Sequence, residues 1–558
     1  MKKSFWLIVL FWAALPVSAA DYAAVSEDGR VAVATVQPRA TEAALEVIAA
    51  GGNAVDAAVA ATLALGVVDG HNSGIGGGLF ALVHWADGTV EAIDGREIAP
   101  MAAHRDMYVQ DGKVVSQLSR SGPLASGIPG SVAVFDYLLK KGGALKRPQV
   151  FAPAISLAER GFAIDGIYAR RLVRHADLLA QYQGSREVLL NSEGEPWPAG
   201  HVLMQTDLAG TYKAIAEYGS DYFYKGEFAK KAGEWMAANG GIITAKDFAD
   251  YQLLIRNPVR SHYRGYEVIG FGPPSSGGVH VAQILNILAE FDLAKASAAE
   301  RYHLLAEAMK LAFADRAHWL GDPAYSDVPK GLISPQYAQK LAAKIESEKA
   351  LVDVNYNTPE NAKTDLFDKH TTHIATADKQ GNWVAITTTV NTDFGSKVII
   401  PGTGVVMNNQ MDDFTAQPGV ANMYGLMGSE ANSIAPGKRP LSSMSPTLVL
   451  KAGKPVMTLG AAGGPTIISQ VVQTLVQTID LDLPLSEALA APRIHHQWRP
   501  DKLFVEKTLS ETVTDALAAR GHTLDTLGPY GSTQAISINA DGEFEAVAEP
   551  RLIERNRP

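Results

Sequence analysis

Residues 371–391 decide the fold and read TTHIATADKQGNWVAITTTVN. Asp378 to Asn382 supplies turn-forming residues between two runs that are rich in β-branched side chains, which is the pattern of a β-hairpin. The segment therefore predicts two antiparallel strands. Thr371 stands at the start of the first strand, where a threonine is an ordinary packing residue in most proteins. Its alternative role is that of a nucleophile.

Composition bounds the class of protein. The chain has 558 residues, of which 47% are hydrophobic and 19% are charged, so a folded globular protein with a large core is expected. Its 49 basic residues against 59 acidic ones argue against a nucleic-acid partner, since such partners require a basic face. Cysteine is absent, so no disulfide contributes to the fold.

The amino terminus has the pattern of a secretory signal peptide. Two lysines precede an apolar run from Phe5 to Leu15, and small residues lead up to Ala20. The apolar run is too short to span a bilayer, although an uncleaved anchor is the alternative. We expect residues 1–20 to be removed, the protein to be exported, and no membrane span to remain afterwards. For a Gram-negative source, the expected compartment is the periplasm.

Apolar periodicity predicts helices over Ala54–Val68, with Asn53 as the cap, and around residues 281–288 and 302–313. Strand patterns concentrate in the last third of the chain, without a regular βαβ alternation. This arrangement favours an α+β fold with segregated layers. The predicted strands, besides the hairpin, are Val398–Ile400, Val405–Met407, Thr447–Leu450, Val456–Leu459 and Ala535–Ile538.

Two glycine clusters have different interpretations. Gly74 to Gly78 is not preceded by a strand, so close backbone packing is favoured over a dinucleotide site. Gly463 and Gly464 precede Pro465 and an apolar helical stripe. Glycines at a helix entrance expose amide donors beside the positive end of the helix dipole. They form either an oxyanion hole or a tight turn.

Several polar residues have an ordinary and a functional interpretation. Asp412 and Asp413 are adjacent, so their side chains diverge, and we expect one of them to bind a cationic group while the other is structural. The same divergence argues against a metal site at His495 and His496, and no metal is predicted. Arg96 is either in an ion pair or grips a carboxylate. Ser442 and Ser443 are turn residues by default.

Taken together, these segments resemble the γ-glutamyltransferase (γ-glutamyltranspeptidase) family from about residue 21 to the carboxy terminus. Each motif alone is weak, but their common order makes chance agreement negligible. The motifs are Ser73–Gly78, Arg96–Pro100, Pro273–Gly278, Thr371–His373, Asn408–Phe414, Arg439–Pro446 and Gly463–Gly464.

The resemblance implies an N-terminal-nucleophile hydrolase fold, which is a four-layer αββα sandwich formed by two subunits of one precursor. It places self-cleavage between His370 and Thr371. The expected products are a large subunit of residues 21–370 and a small subunit of residues 371–558, which stay associated as a heterodimer. No cofactor is implied.

The resemblance also implies the chemistry. Thr371 would attack the γ-glutamyl carbonyl of glutathione or a related compound, Thr389 would support it, and Gly463 and Gly464 would stabilise the oxyanion. Water or the amine of an amino acid or peptide would then accept the acyl group. The remaining implied roles are binding of the substrate α-carboxylate by Arg96, Ser442 and Ser443, binding of its ammonium by Asn391, Gln410 and Asp413, and a mobile lid carrying Tyr424.

The chain departs from the family pattern at Ala461, Ala462 and Pro465 beside the two glycines, and at Asp393, which adds a charge near the expected ammonium site. Two other functions remain alternatives. One is a glutaryl-cephalosporin-type acylase of the same superfamily, although Asp413 argues against a substrate without an ammonium. The other is a secreted, non-catalytic binding protein, for which an uncut chain is expected.

Overall fold

The computed structural model of the chain describes residues 21–354, 371–527 and 531–556. The predicted signal peptide and His370 lie outside the described residues. None of the helices in the described ranges combines the length and the apolar character that crossing a membrane requires.

The strands, in chain order, are β1 (Ala23–Val25), β2 (Val31–Ala34), β3 (Gly78–His84), β4 (Val90–Gly95), β5 (Val109–Gln110), β6 (Lys113–Val114), β7 (Phe162–Ala163), β8 (Val202–Leu203), β9 (Leu254–Arg256), β10 (Val259–Tyr263), β11 (Tyr266–Gly270), β12 (Thr372–Asp378), β13 (Trp383–Thr389), β14 (Thr447–Lys451), β15 (Lys454–Gly460), β16 (Ile494–His495), β17 (Leu503–Glu506), β18 (Leu524–Leu527), β19 (Gln534–Ile538) and β20 (Phe544–Ala548).

The α-helices are α1 (Pro38–Ala49), α2 (Ala54–Val68), α3 (Ser116–Arg120), α4 (Ser131–Gly142), α5 (Arg147–Arg160), α6 (Gly166–Leu179), α7 (Gln183–Leu189), α8 (Thr206–Tyr218), α9 (Ser220–Tyr224), α10 (Glu227–Ala238), α11 (Ala245–Ala249), α12 (Gly277–Leu288), α13 (Ala298–Trp319), α14 (Pro335–Ala342), α15 (Thr466–Ile479), α16 (Leu485–Ala490), α17 (Glu511–Ala519) and α18 (Pro550–Asn556). Short 3₁₀ turns cover Pro123–Ala125, Lys330–Ile333, Gln410–Asp413 and Glu430–Asn432.

The predicted hairpin lies at the centre of a seven-stranded antiparallel sheet with the order β1-β2-β12-β13-β3-β4-β9. Its register pairs Thr372 with Thr388 and Ala377 with Trp383, which confirms the hairpin. The outer edges of the hairpin pair with β2 and β3. The two strands that follow residue 370 are therefore enclosed on both sides by strands that precede it, within one hydrogen-bonded sheet.

A second antiparallel sheet, with the order β10-β11-β14-β15-β19-β20, packs face to face with the first. Alternate residues of both sheets fill the space between them, among them Ala375, Leu82, Leu448 and Ile536. Helices such as α2 and α5 cover the outer face of the first sheet, and α12, α13 and α15 cover the outer face of the second. This αββα arrangement confirms the predicted fold class.

Helix α2 is a central packing element beneath the hairpin. Asn53 caps it by accepting hydrogen bonds from the amides of Val55 and Asp56, and the Asp56 carboxylate accepts one from the Asn53 amide, which completes a capping box. Every residue of the helix is buried, as the alanine-rich sequence predicts. Its carboxy-terminal cap is Asp69, which the helix delivers to the start of β12.

Two strand predictions are wrong. Val398–Ile400 and Val405–Met407 form one isolated bridge, between Ile399 and Val406, rather than strands. The expectation that strands cluster late in the chain is also wrong, because β2, β3 and β4 come from the first hundred residues. All residues of β3 are buried, so the strand has no alternation of polar and apolar residues that the sequence could display.

The glycine cluster before β3 serves close backbone packing, as predicted. A Cβ atom on Gly77 would stand 2.0 Å from the carbonyl oxygen of Thr389, and one on Gly76 would stand 2.0 Å from that of Val406. Both contacts are with backbone, which cannot rotate away. These glycines let the neighbouring segments approach the end of β13, where Thr389 lies.

We predict that Gly77→Ala destabilises the protein by about 1–3 kcal/mol, the usual cost of overpacking a buried contact. Thermal unfolding at a fixed scan rate measures the effect. Gly210→Ala is the matched control, since nothing lies within 4 Å of a Cβ atom at this exposed helical position. The control should be neutral or stabilising, because alanine favours a helix. Equal unfolding temperatures for both variants would contradict the packing role of Gly77.

Candidate active site

The end of the hairpin opens into a narrow solvent-accessible cavity of about 20 Å³. Thr371 is only 7% exposed. It lies beside Thr389, because the next residue, Thr372, pairs with Thr388 in the antiparallel register. Since side chains alternate along a strand, Thr371 is on the face that carries Ala375, between the two sheets. The cavity brings together these predicted site residues: Arg96, Thr371, Thr389, Asn391, Gln410, Asp413, Tyr424, Ser442, Ser443 and Gly464.

Arg96 is fully buried rather than on the surface. Its Nε donates to the carbonyl of Pro440 at 3.1 Å, and its Nη2 donates to Asp413 at 2.5 Å. Its Nη1 lies 3.7 Å from a Glu97 oxygen and makes no hydrogen bond to a described residue. The guanidinium is thus fixed in place while one of its nitrogens retains donor capacity.

Asp413 and Gln410 form the acceptor side of the cavity. The Gln410 amide nitrogen donates to the Asp413 carboxylate at 2.7 Å, and the Gln410 amide oxygen is buried without a hydrogen-bond partner among the described residues. A buried acceptor without a donor is costly unless a ligand supplies one. This arrangement suits an ammonium group.

The resemblance assigns opposite charges of a zwitterion to Arg96 and Asp413, and the structure places the two side chains in direct contact. Burial raises the pKa of the Asp413 carboxyl, and Arg96 opposes this shift. Burial also raises the pKa of the Glu97 carboxyl to about 7, again against Arg96. Because the carboxylate and ammonium of an α-amino acid share one carbon atom, a contact ion pair can face both groups side by side.

Ser442 and Ser443 are held by segments distant in sequence. The Ser442 carbonyl accepts hydrogen bonds from the amide and hydroxyl of Ser276, and the Ser443 hydroxyl accepts one from Arg316 at 3.0 Å. Arg316 also donates to the Ser276 hydroxyl at 2.9 Å. The motif around Ser276 therefore positions the serine pair.

Arg316 is a site residue that sequence reasoning missed. It lies on α13, is buried, and lines the same cavity as Arg96. Burial lowers the pKa of its guanidinium to about 10, and Asp413 opposes this shift. The sequence offered one signal, an arginine within the apolar stripe of a helix. Because burial of an unpaired charge is costly, such an arginine is expected to have a partner or a function.

The two glycines occupy the entrance of α15, which begins at Thr466 after the cap residue Pro465. Gly463 and Gly464 have φ values of 130° and 55°, in the region that favours glycine. Neither amide donates a hydrogen bond to a described residue. Gly464 lines the cavity, and Gly463 is the residue before it in the chain. The arrangement is therefore compatible with oxyanion binding.

Tyr424 covers the cavity. Its hydroxyl donates to the Asn391 carbonyl at 2.6 Å, and its ring lies against Gly464, where a Cβ atom would come within 2.6 Å of it. Asn391 has a positive φ of 82°, its amide donates to the Thr389 hydroxyl at 2.8 Å, and its side chain donates to the Asn409 carbonyl. One tyrosine thus connects the helix entrance with the end of the hairpin.

Asp69 is a second residue that the sequence did not single out. Its carboxylate accepts a hydrogen bond from the Thr372 hydroxyl at 2.5 Å and another from the Asn72 side chain at 2.8 Å, and His71 lies 3.3 Å away. Burial raises the pKa of the Asp69 carboxyl to about 7. It fixes the first residue of β12, directly after Thr371.

Asp393 does not line the cavity that contains Asp413 and Gln410. It is fully buried and pairs with Arg171 and His175. It lines a separate cavity together with Thr392 and Lys397. The other departures are accommodated by packing, since Ala461 lies between the two sheets and Ala462 presents its carbonyl to the Gln470 side chain. None of these residues lines the cavity around Arg96.

Among the described residues, a group with metal-ligand chemistry lies outside this site and consists of His303, Glu307 and His522. The two imidazoles hydrogen-bond each other at 2.8 Å, and the Lys310 ammonium lies 3.1 Å from the Glu307 carboxylate. Lysine thus places a cation beside the carboxylate, which disfavours a metal ion there. His495 and His496 are buried and hydrogen-bonded to Ser469 and Asp501, respectively.

The αββα layers and a threonine at the amino end of a central strand define an N-terminal-nucleophile hydrolase. The gamma-glutamyltranspeptidase family model matches residues 40–556. The chain therefore belongs to the γ-glutamyltranspeptidase family.

Known relatives agree with this assignment. The chain is 43% identical over 527 residues to a glutathione hydrolase proenzyme of Escherichia coli K12, covering 94% of this chain and 90% of that protein. It is 39% identical to an acylase ACY 1 proenzyme of a Pseudomonas species, covering 92% and 91%. A cephalosporin acylase from Bacillus halodurans superposes with a TM-score of 0.84 at 29% identity, covering 98% of each chain. Similarity alone thus extends to proteins with two different activities.

We predict that Asp69→Asn becomes more stable relative to the parent protein as the pH rises from 4 to 7. An unfolded aspartic acid loses its proton near a pKa of about 3.9, whereas folded Asp69 keeps it to about 7. Over this window the folded parent binds the extra proton, so its stability falls as the pH rises, and asparagine removes this contribution.

Thermal unfolding of both proteins in one buffer series measures the difference. Asp541→Asn is the control, because Asp541 is exposed in a turn. A difference between Asp69→Asn and the parent that does not change with pH would exclude proton binding by buried Asp69.

Proposed function

We propose that the chain is a self-cleaving γ-glutamyltransferase and glutathione hydrolase. One observation carries the proposal: the cavity that contains Thr371 also contains the Arg96–Asp413 ion pair and the Gln410 acceptor. The nucleophile and a receptor for an α-amino acid zwitterion therefore share one enclosed space. The γ-glutamyl group has this zwitterion at one end and the scissile amide at the other.

Self-cleavage comes first. The Thr371 hydroxyl attacks the carbonyl carbon of His370, and the chain shifts from an amide to an ester. Water then opens the ester, which leaves a carboxylate on His370 and an α-amino group on Thr371. This amine has an ordinary pKa of about 7.7–8.0, so it can act as the base beside its own hydroxyl at neutral pH.

Acyl transfer then uses the same hydroxyl. Thr371 attacks the γ-carbonyl of the donor, its α-amino group takes the hydroxyl proton and passes it to the leaving nitrogen, and an acyl-enzyme forms. The amides of Gly463 and Gly464 stabilise the oxyanion, and Thr389 supports the nucleophile. Water or the amine of an amino acid or peptide completes the cycle. No cofactor takes part.

Substrate binding follows from the charges. Arg96, with Ser442 and Ser443, holds the α-carboxylate, while Asp413, Gln410 and Asn391 hold the ammonium. Tyr424 belongs to a lid that shields the acyl-enzyme from bulk water. The ammonium site is what favours γ-glutamyl substrates over glutaryl amides, and this distinguishes the proposal from the acylase alternative.

The proposal includes the assembly and location of the enzyme. Residues 21–370 and 371–558 remain together as a heterodimer after cleavage, since β12 and β13 of the second part are hydrogen-bonded between strands of the first part. Residues 1–20 direct export, to the periplasm in a Gram-negative cell. Glutathione and other γ-glutamyl compounds are the donors.

We predict that Thr371→Ala stays a single inactive chain, because alanine has no hydroxyl to attack the preceding carbonyl. Thr371→Ser should still cleave. A denaturing gel with amino-terminal sequencing of the bands measures the outcome, and Thr508→Ala, at an exposed turn, should cleave like the parent. Cleavage of Thr371→Ala before residue 371 would refute the assigned nucleophile. A parent protein that remains one chain would instead favour the non-catalytic alternative.

We predict that Asp413→Asn lowers kcat/KM for a γ-glutamyl anilide at least tenfold, because a charge-assisted hydrogen bond to an ammonium contributes about 1.5–3 kcal/mol. A glutaryl anilide, which lacks the ammonium, should be affected much less. The parent protein should prefer the γ-glutamyl substrate, and the variant should lose this preference. An equal loss on both anilides would mean that Asp413 acts on folding or chemistry rather than on the ammonium.

A further inference from the structure

Arg316 is a buried cation that the proposed mechanism does not use. It is 4% exposed, lies on α13 and lines the cavity that contains Thr371. Burial lowers the pKa of its guanidinium only to about 10, so the group is charged at neutral pH. Among the described residues, no carboxylate forms an ion pair with it. A buried charge of this kind is costly unless an anion completes the site.

The charged residues that line the cavity give it an excess of positive charge. They are Arg96, Arg316 and Asp413. Arg96 donates to Asp413 at 2.5 Å, so the charges of these two side chains compensate each other. The charge of Arg316 is then left over, and it favours an occupant that brings a carboxylate into the cavity.

The hydrogen bonds of Arg316 fix the direction of the neighbouring hydroxyl groups. Its Nη2 donates to the Ser443 hydroxyl at 3.0 Å, and its Nε donates to the Ser276 hydroxyl at 2.9 Å. Because a guanidinium can only donate, both hydroxyl oxygens act as acceptors here. Ser276 passes its own proton on, since its hydroxyl donates to the Ser442 carbonyl at 2.8 Å.

The Ser443 hydroxyl is left with a proton to donate. No described residue accepts this proton, and Ser443 lines the cavity. The Ser442 hydroxyl is in the same situation, because it accepts a hydrogen bond from the Met444 amide at 3.1 Å and has no described acceptor of its own. A carboxylate in the cavity offers two oxygens that can accept both protons.

We propose that Arg316 is a positioning residue for the α-carboxylate of the substrate: it holds the Ser443 hydroxyl as a hydrogen-bond donor and supplies the excess positive charge of the cavity. The inference rests on the proposed function and deepens it, because it adds a residue that selects acyl groups with an α-carboxylate. A cation that donates to a hydroxyl also polarises it, which strengthens the hydrogen bond that the hydroxyl makes in turn.

The test compares two anilides that differ only in the α-carboxylate, γ-glutamyl-p-nitroanilide and γ-aminobutyryl-p-nitroanilide, with the purified, cleaved enzyme. Both acyl groups carry the ammonium. Arg316→Met removes the charge and the N–H donors but keeps an unbranched side chain. It should lower the ratio of kcat/KM between the two anilides at least about tenfold, the equivalent of about 1.4 kcal/mol. The loss should appear mainly as a higher KM for the γ-glutamyl anilide.

Two further variants keep the test independent of one substitution. Arg316→Lys keeps the charge, but its ammonium lacks the planar fork that reaches both hydroxyls, so it should lower the ratio by a smaller factor. Ser443→Ala should lower the ratio as well. Arg316→Met should then cost less in the Ser443→Ala background than in the parent, because residues that act through a shared contact are not additive.

Arg301→Met is the matched control, because Arg301 lies on the same helix, donates to the Ala296 carbonyl and does not line the cavity. It should keep the parent ratio. Thermal unfolding and a denaturing gel report whether each variant folds and cleaves itself.

The outcomes separate this inference from the proposed function. If the cleaved parent does not hydrolyse the γ-glutamyl anilide, the proposed function fails, and this inference fails with it. If the parent prefers the γ-glutamyl anilide and the Arg316 variants keep that preference, only this inference is overturned. An equal loss on both anilides also overturns it, since Arg316 would then act on the fold. Fully additive losses at Arg316 and Ser443 overturn the action through the Ser443 hydroxyl.

Discussion

The structure depends on the pairing of β12 on both of its edges. One edge pairs with β13 from Thr372 to Ala377, and the other edge pairs with β2 from Ala375 to Asp378. The end of β12 next to Thr371 is held by β13 and by the hydrogen bond that the Thr372 hydroxyl donates to Asp69. Under the proposed mechanism, these contacts would let Thr371 keep its position as a terminal residue and would leave the sheet intact after the cut.

The residues of this site were predicted because seven motifs in one order resemble the γ-glutamyltranspeptidase family, whereas each motif alone also has an ordinary structural interpretation. The hairpin, the capped helix α2 and the helix after Gly464 follow from local patterns that the structure confirms. The predicted site residues from Arg96 to Gly464 meet in one cavity, although their roles remain proposals.

The rest was not predictable for physical reasons. Strand β3 is buried on both faces, so its sequence does not alternate, and it reads equally well as part of a buried helix. Arg316 and Asp69 belong to the site only because helices deliver them across long sequence separations. The contact between Arg96 and Asp413 could not be predicted either, since a sequence gives residue types but not the distances between them.

The position of the hairpin β12–β13 between β2 and β3 has a consequence for the maturation of the protein. In the proposed mechanism the Thr371 hydroxyl needs the geometry that β2 and β3 hold on either side of the hairpin, so a chain in which these strands have not paired would not cleave itself. Self-cleavage would thereby depend on correct folding, and a misfolded copy would remain an inactive precursor without the action of another protein.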